Sequence, residues 1–208
     1  MNSQTRRVTV AGPAGALECA IDSPSGEARA LAVVCHPHPL QGGTMDNKVA
    51  QTLARALVQV GCLSVRFNYR GVGASQGSWD EGRGEVDDAL SVVETFRAQV
   101  AGDGAAELVL AGFSFGGYVA ASAAQRLPEA QRPRRMVLVG PAVRTFDTPS
   151  VPAGTLVIHG EHDDVVPLTA TLDWARPQSL PVTVFPGTGH FFHGQLLQLR
   201  DIVIRGMR

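Results

Sequence analysis

Short runs of Val, Leu and Ile alternate along the chain with longer stretches of helical period. The apolar runs are Arg7–Val10, Leu17–Asp22, Ala30–Cys35, Leu63–Asn68, Glu107–Ala111, Arg135–Val139, Thr155–His159 and Val182–Phe185. Between several of them lie amphipathic segments, with Val49, Leu53, Leu57 and Val60 on one helical face and Val86, Leu90, Val93 and Val100 on another. Runs such as LAVVC and LVIHG carry no polar alternation, which suits strands covered by helices on both faces. The first two runs are separated by AGPAGA, a turn sequence, so the sheet is expected to open with an antiparallel pair. Strand and helix then alternate to the end, the mark of a doubly wound, mostly parallel α/β sheet. There is no internal repeat and no low-complexity linker, so residues 1–208 read as a single domain. In such a sheet the chemistry belongs in loops at the carboxyl ends of the strands.

Composition narrows the partners. The 44% hydrophobic and 18% charged fractions are those of a water-exposed globular domain. A formal net charge of -1 leaves no basic excess to grip a phosphate backbone, so no nucleic-acid partner is expected. No stretch reaches the roughly 20 apolar residues of a membrane span, and MNSQTRRVTV lacks the apolar core of a secretory signal. Cys19, Cys35 and Cys62 are odd in number and set in apolar runs, which suits reduced core thiols. A cytoplasmic location is expected, whereas oligomeric state cannot be read.

The segment ELVLAGFSFGGYVAASAAQRL is the most informative. A buried strand runs into Gly112-Phe113-Ser114-Phe115-Gly116 and on into an Ala-rich helix, a G-x-S-x-G nucleophile elbow in its strand–turn–helix setting. The turn is tight enough to need small neighbours, which Gly112, Gly116 and Gly117 supply. The competing reading of Ser114 is a plain helix cap.

A serine hydroxyl needs a base to take its proton and a carboxylate to orient that base. Downstream, one strand leads into Glu161-His162-Asp163-Asp164-Val-Val-Pro167, offering three carboxylates. The last strand leads into Pro186-Gly-Thr-Gly-His190-Phe-Phe-His193, offering two histidines. His193 is expected to begin the final helix, and His159, ending a buried strand, reads as a structural histidine. The histidines and Asp163 could also suggest zinc, but two prolines stiffen His36-Pro-His38-Pro, and there is no H-E-x-x-H or cysteine pair. No metal and no cofactor is therefore expected. Of the two N–H donors that acyl transfer needs, one should be Phe115, next after the nucleophile. Proline has no N–H, so the second, from the loop after Cys35, is either His38 or Leu40.

These motifs resemble the α/β-hydrolase superfamily. H-G-x-x-D-x-x-V-P places the acid at Asp163, with Asp164 as runner-up, and G-x-G-H places the base at His190. Arg66-Phe-Asn-Tyr-Arg-Gly-Val-Gly-Ala-Ser75 is similar to the family's D-x-R-G-x-G-x-S turn, with Asn68 where aspartate is usual and Arg70 read as structural. Asn47 or Asp46 is placed to cap a helix, and Lys48 carries no assigned role. H-P-x-x-x-x-G-G-[ST]-M-x-N-K-V, A-G-F-S-F-G and H-F-F-H together look like a group of small bacterial-type hydrolases. The resemblance spans nearly the whole chain. It implies an eight-stranded α/β-hydrolase fold and a triad of Ser114, His190 and Asp163 acting on a small-molecule acyl substrate through carboxylesterase-like chemistry. Thioester, amide and acyl-transfer chemistry would use the same machinery, and a non-catalytic pocket-binding member is the contrasting class.

Only Gly140 to Gly154 separate the sixth run from the seventh, enough for one helical turn and too little for a cap domain. An open, shallow site follows, fitted to short-acyl esters of small alcohols, with Phe113, Phe115, Trp79 and Phe191 as either its lining or core.

Overall fold

A computed structural model, describing residues 5–100 and 107–208, places eight strands in one sheet. They are β1 (Arg6–Gly12), β2 (Gly15–Asp22), β3 (Ala30–Cys35), β4 (Cys62–Phe67), β5 (Glu107–Phe113), β6 (Arg135–Val139), β7 (Leu156–Gly160) and β8 (Val182–Phe185). Their order is β1-β2-β4-β3-β5-β6-β7-β8, with β1 and β2 antiparallel to their neighbours and every pair from β4 onward parallel. The opening hairpin and the parallel remainder follow the order expected from the hydrophobic runs.

Among the described residues five α-helices cover the sheet: α1 (Lys48–Gln59), α2 (Arg83–Val100), α3 (Phe115–Arg126), α4 (Leu168–Ala175) and α5 (Leu196–Met207). Side chains of α1 and α5 fill one core, whereas α2 and α3 fill the other. Helix α1 buries Val49, Leu53 and Leu57, the face its periodicity marks, each contributing about 1.5–3 kcal/mol by leaving water. Its first turn is capped by Asn47 Oδ1, which accepts from the N–H groups of Val49 (2.9 Å) and Ala50 (3.3 Å). Asp46 instead pairs with Arg7 and Arg66, and Lys48 points to solvent.

Helix α2 keeps the expected face, with Val86 and Val93 buried and Leu90 and Val100, half-buried, packed against the same core. The buried stripe is wider than the pattern marks, taking in Glu85, Asp88, Ala89, Val92 and Phe96 as well. Two of these are acids. Asp88 accepts from Nε and Nη2 of the Arg70 guanidinium, Nε reaching both carboxylate oxygens, and from the Arg70 backbone N–H at 2.9 Å. Glu85 accepts from the N–H groups of Asp80 (3.0 Å) and Gly82 (2.8 Å). Burial pushes the Glu85 carboxyl up from its ordinary value. Arg70 is therefore a tie between the loop after β4 and α2.

The link from β6 to β7 holds one helical turn, closed by Thr145 and Phe146 N–H on Ala142 O, and no further helix or strand. The fold is the doubly wound, mostly parallel α/β sheet expected, with no cap domain between β6 and β7. Among the described residues no helix is long and apolar enough to cross a membrane.

Candidate active site

Strand β5 lies in the middle of the sheet, between β3 and β6, and delivers Ser114 at its carboxyl end. Ser114 has φ 56° and ψ -120°, a conformation non-glycine residues avoid at a cost of about 1–3 kcal/mol. The surroundings impose it. Ser114 N–H donates to Val139 O at 2.9 Å, and its carbonyl accepts from Gly117 and Ala142 N–H at 2.9 and 3.1 Å. The glycines are required by contact: a Cβ on Gly112 would stand 2.0 Å from Gly116 O, and one on Gly116 would stand 2.1 Å from Cys35 O. Ser114 makes no capping hydrogen bond to α3, which removes the reading of this residue as a cap. Its side chain is 7% exposed.

Asp163 and His190 meet beside this turn. His190 Nδ1 donates to Asp163 Oδ2 at 2.7 Å, and the pair is almost fully buried. Asp163 Oδ1 accepts from the N–H groups of Val165 (3.0 Å) and Val166 (2.7 Å), which fixes the plane of the carboxylate. Burial opposes ionisation of Asp163, but the hydrogen bonds from His190 and Val166 outweigh it and hold the carboxyl below its ordinary range. Asp164 is exposed, and Glu161 turns to Gly187 N–H at 2.8 Å, so neither reaches His190. Gly140, one residue beyond the Ser114 N–H acceptor, lies against both: a Cβ there would be 3.3 Å from His190 Cε1 and 3.4 Å from Asp163 Oδ2. The Phe113 ring packs on the His190 imidazole at 4.9 Å.

His193 does not open the last helix. It lies in an exposed turn closed by Gly194 (φ 75°), and α5 begins at Leu196. His159 is buried and bonded at both nitrogens, to Val166 O (2.8 Å) and Thr171 Oγ1 (3.2 Å), with Asp163 Oδ2 3.5 Å away. It ties strand β7 to the turn at Asp163–Val166. The H-G of LVIHG was its one sequence signal.

In the loop after β3 the N–H groups of His38 and Leu40 differ in their partners. Leu40 N–H is taken by His38 Nδ1 at 3.2 Å in a 3-10 turn over Pro39–Gln41, and Leu40 is 68% exposed. His38 O accepts from Gln41 and Gly43 N–H, whereas the N–H groups of His38 and Phe115 have no protein acceptor among the described residues. Asn68 accepts from Met45 N–H and donates to Glu18 Oε2, both at 2.8 Å. An aspartate there could not donate, which accounts for the departure from the usual residue.

His36 is buried with Nδ1 on Pro37 O (2.7 Å) and Nε2 accepting from Tyr69 N–H (3.2 Å). Burial drives its pKa down to about 3. The unfolded chain binds that proton near pH 6.5 and the folded chain only near 3, so acid favours unfolding between those values. Stability in urea is expected to be full above pH 6.5 and to fall by about 1.4 kcal/mol per unit below it from this group, levelling near pH 3. His36→Gln should flatten that slope, and equal slopes in the two proteins would assign the acid sensitivity elsewhere.

The three cysteines are buried thiols, pushed by burial to about 12 (Cys19), 12 (Cys35) and 11 (Cys62), and are inert at neutral pH. Among the described residues no cluster of His, Cys, Asp and Glu is arranged to hold a metal ion.

The chain and its fold are similar to known proteins. A family described as serine aminopeptidase, S33 matches residues 26–154, which reaches Ser114 and stops before Asp163. A lidless α/β serine hydrolase of Xanthomonas campestris is 39% identical, with a TM-score of 0.89, covering 100% of this chain and 95% of its own. An α/β serine hydrolase homologue of Coxiella burnetii is 38% identical with a TM-score of 0.85, covering 98% and 97%. An uncharacterized protein of Rickettsia prowazekii is 31% identical over 195 residues, which are 87% of this chain and 79% of that protein.

Proposed function

Because the chain belongs to the α/β-hydrolase superfamily, in the serine aminopeptidase S33 family, we propose that it is a serine esterase acting on short-acyl esters of small alcohols. The observation carrying this reading is the 2.7 Å Asp163–His190 pair next to a serine held at φ 56° on a nucleophile elbow. Ser114 Oγ attacks the ester carbonyl as His190 takes its proton at Nε2, while Asp163 keeps the other imidazole proton on Nδ1. The free N–H groups of Phe115 and His38 receive the oxyanion. Collapse of the tetrahedral intermediate breaks the ester C–O bond. The departing alkoxide takes the proton from His190, leaving an acyl-enzyme. Water then attacks through the same histidine and releases the carboxylic acid and the free serine. The lidless β6–β7 connection leaves the site open, which favours small soluble esters over long-chain lipids.

A fluorophosphonate probe tests the mechanism directly. One adduct per chain, mapped by mass spectrometry to the peptide containing Ser114, is expected alongside hydrolysis of p-nitrophenyl acetate. Absence of the adduct, or an adduct on another serine, contradicts it. Faster turnover of amino-acid amides than of the matching methyl esters would move the assignment to a peptidase.

A further inference from the structure

Phe115, whose N–H is the first oxyanion donor of the esterase reading above, is also the hub of an aromatic cluster. Its buried ring lies 5.1 Å from His38, 5.3 Å from Trp79, 5.9 Å from Tyr118 and 4.9 Å from Phe146. His38 joins Trp79 at 4.7 Å and Phe146 at 5.9 Å, and Tyr118 stacks on Phe146 at 4.9 Å. These four outer rings come from four separate segments, and all are half-buried, not sealed in the core.

Their polar atoms show which way they face. Trp79 Nε1 and Tyr118 Oη have no protein partner among the described residues, yet neither is among the buried unsatisfied atoms. The same holds for His38 Nε2, which carries the ring proton because Nδ1 accepts from Leu40 N–H. A core would pair such atoms; a surface that meets a ligand leaves them open. The wall is also rigid. Glu85 ties the backbone at Asp80 and Gly82, next to Trp79, and a Cβ on Gly82 would stand 2.7 Å from the Tyr118 ring.

We infer that this wall is a subsite for an aromatic ring of the substrate, placed beside the oxyanion donors Phe115 and His38. The inference rests on the esterase reading and adds the substrate class: esters carrying an aryl group one or two bonds from the carboxyl carbon or the alkyl oxygen. An aliphatic ring of the same size would gain burial alone. An aryl ring adds offset and edge-to-face contact with four rings already at such separations, and the three open donors can meet a ring substituent bearing oxygen.

Matched substrates test it: methyl phenylacetate against methyl cyclohexylacetate, and benzyl acetate against cyclohexylmethyl acetate. The expected kcat/KM ratio favours the aryl member of at least one pair by about three- to tenfold. Within each variant the ratio cancels any general loss of activity. Trp79→Leu and Phe146→Leu should bring it toward one, Trp79→Phe should keep it, and Phe191→Leu, whose ring packs on Phe113 and His190 and not on this cluster, should leave it as it was. Ratios near one in the unmodified protein, or a ratio surviving both leucine variants, overturn the subsite. Collapse of the ratio only in Phe191→Leu places aryl recognition elsewhere and also overturns it. Fluorophosphonate labelling in the same samples separates the two levels, since loss of labelling in the unmodified protein defeats the esterase reading itself.

Discussion

Asp163→Asn is expected to lower kcat for a short ester by about four orders of magnitude with little change in stability. The size follows from which atoms the substitution leaves in place. The N–H groups of Val165 and Val166 point at Oδ1, and an asparagine will satisfy both with its carbonyl oxygen. Its amide nitrogen then faces His190 Nδ1 across the 2.7 Å contact. Two donors cannot share that contact, so the imidazole must give up its proton at Nδ1 and carry it on Nε2. The nitrogen that should receive the serine proton is then blocked. Asp164→Asn, on an exposed side chain, should stay within about twofold, because surface substitutions away from such features change little. Steady-state kinetics with a thermal melt on the same preparations decide the matter, and a larger loss at Asp164 would refute the assignment.

Gly116→Ala should cost about 3 kcal/mol or more and lower the melting temperature by roughly 6–12 °C in a chain of this size. The new methyl carbon would lie 2.1 Å from Cys35 O, 2.5 Å from Cys35 C and 2.7 Å from His36 O. All are backbone atoms at the end of β3, which is paired with β5 up to Cys35 and Gly112 and cannot swing aside as a flexible side chain could. Helix α3 must move instead, carrying the Phe115 N–H with it. A displacement of about 1 Å there should reduce turnover by roughly a hundredfold in whatever protein remains folded. Gly26→Ala makes the contrast: an added Cβ meets nothing within 4 Å and φ is not positive, so stability should change by less than about 0.5 kcal/mol. Melting curves of the two variants check both expectations, and similar melting temperatures would mean that β3 and α3 part more easily than their contacts imply.

Both substitutions probe features that differ in how far they could be read along the chain. The elbow was legible because its requirements are local. A strand, a glycine-spaced turn and a helix follow one another within Glu107–Arg126, and steric exclusion at the glycines acts between near neighbours. The eight hydrophobic runs were legible for the same reason, with errors of one to two residues at half of their ends. Strand β4, for example, stops at Phe67, although the Asn68 N–H still donates to Glu18 O at 2.9 Å while its side chain binds Met45 N–H and Glu18 Oε2.

Where the answer depended on a partner distant in sequence, the pattern misled or stayed silent. On α2 the burial of Asp88 against Arg70 and of Glu85 against the loop at Asp80–Gly82 was not legible, because a hydrophobicity period counts acids as outward positions. His193 resembled a helix start, but Gly194 takes a positive φ and delays α5. That the His38 ring accepts from the Leu40 N–H could not be read either. The choice between Asp163 and Asp164 needed the two loops after β7 and β8 in one frame.

The sequence by itself therefore determined the strand order in time, the tight serine turn and the absence of room for a lid, since all three depend on spacing and on contacts within a few residues. Tertiary structure alone decided which carboxylate meets His190, which N–H is left open, and that Phe115 gathers rings from four segments beside the serine. Those are matters of direction in space, set only when a parallel sheet brings the ends of β3, β5, β7 and β8 to one edge.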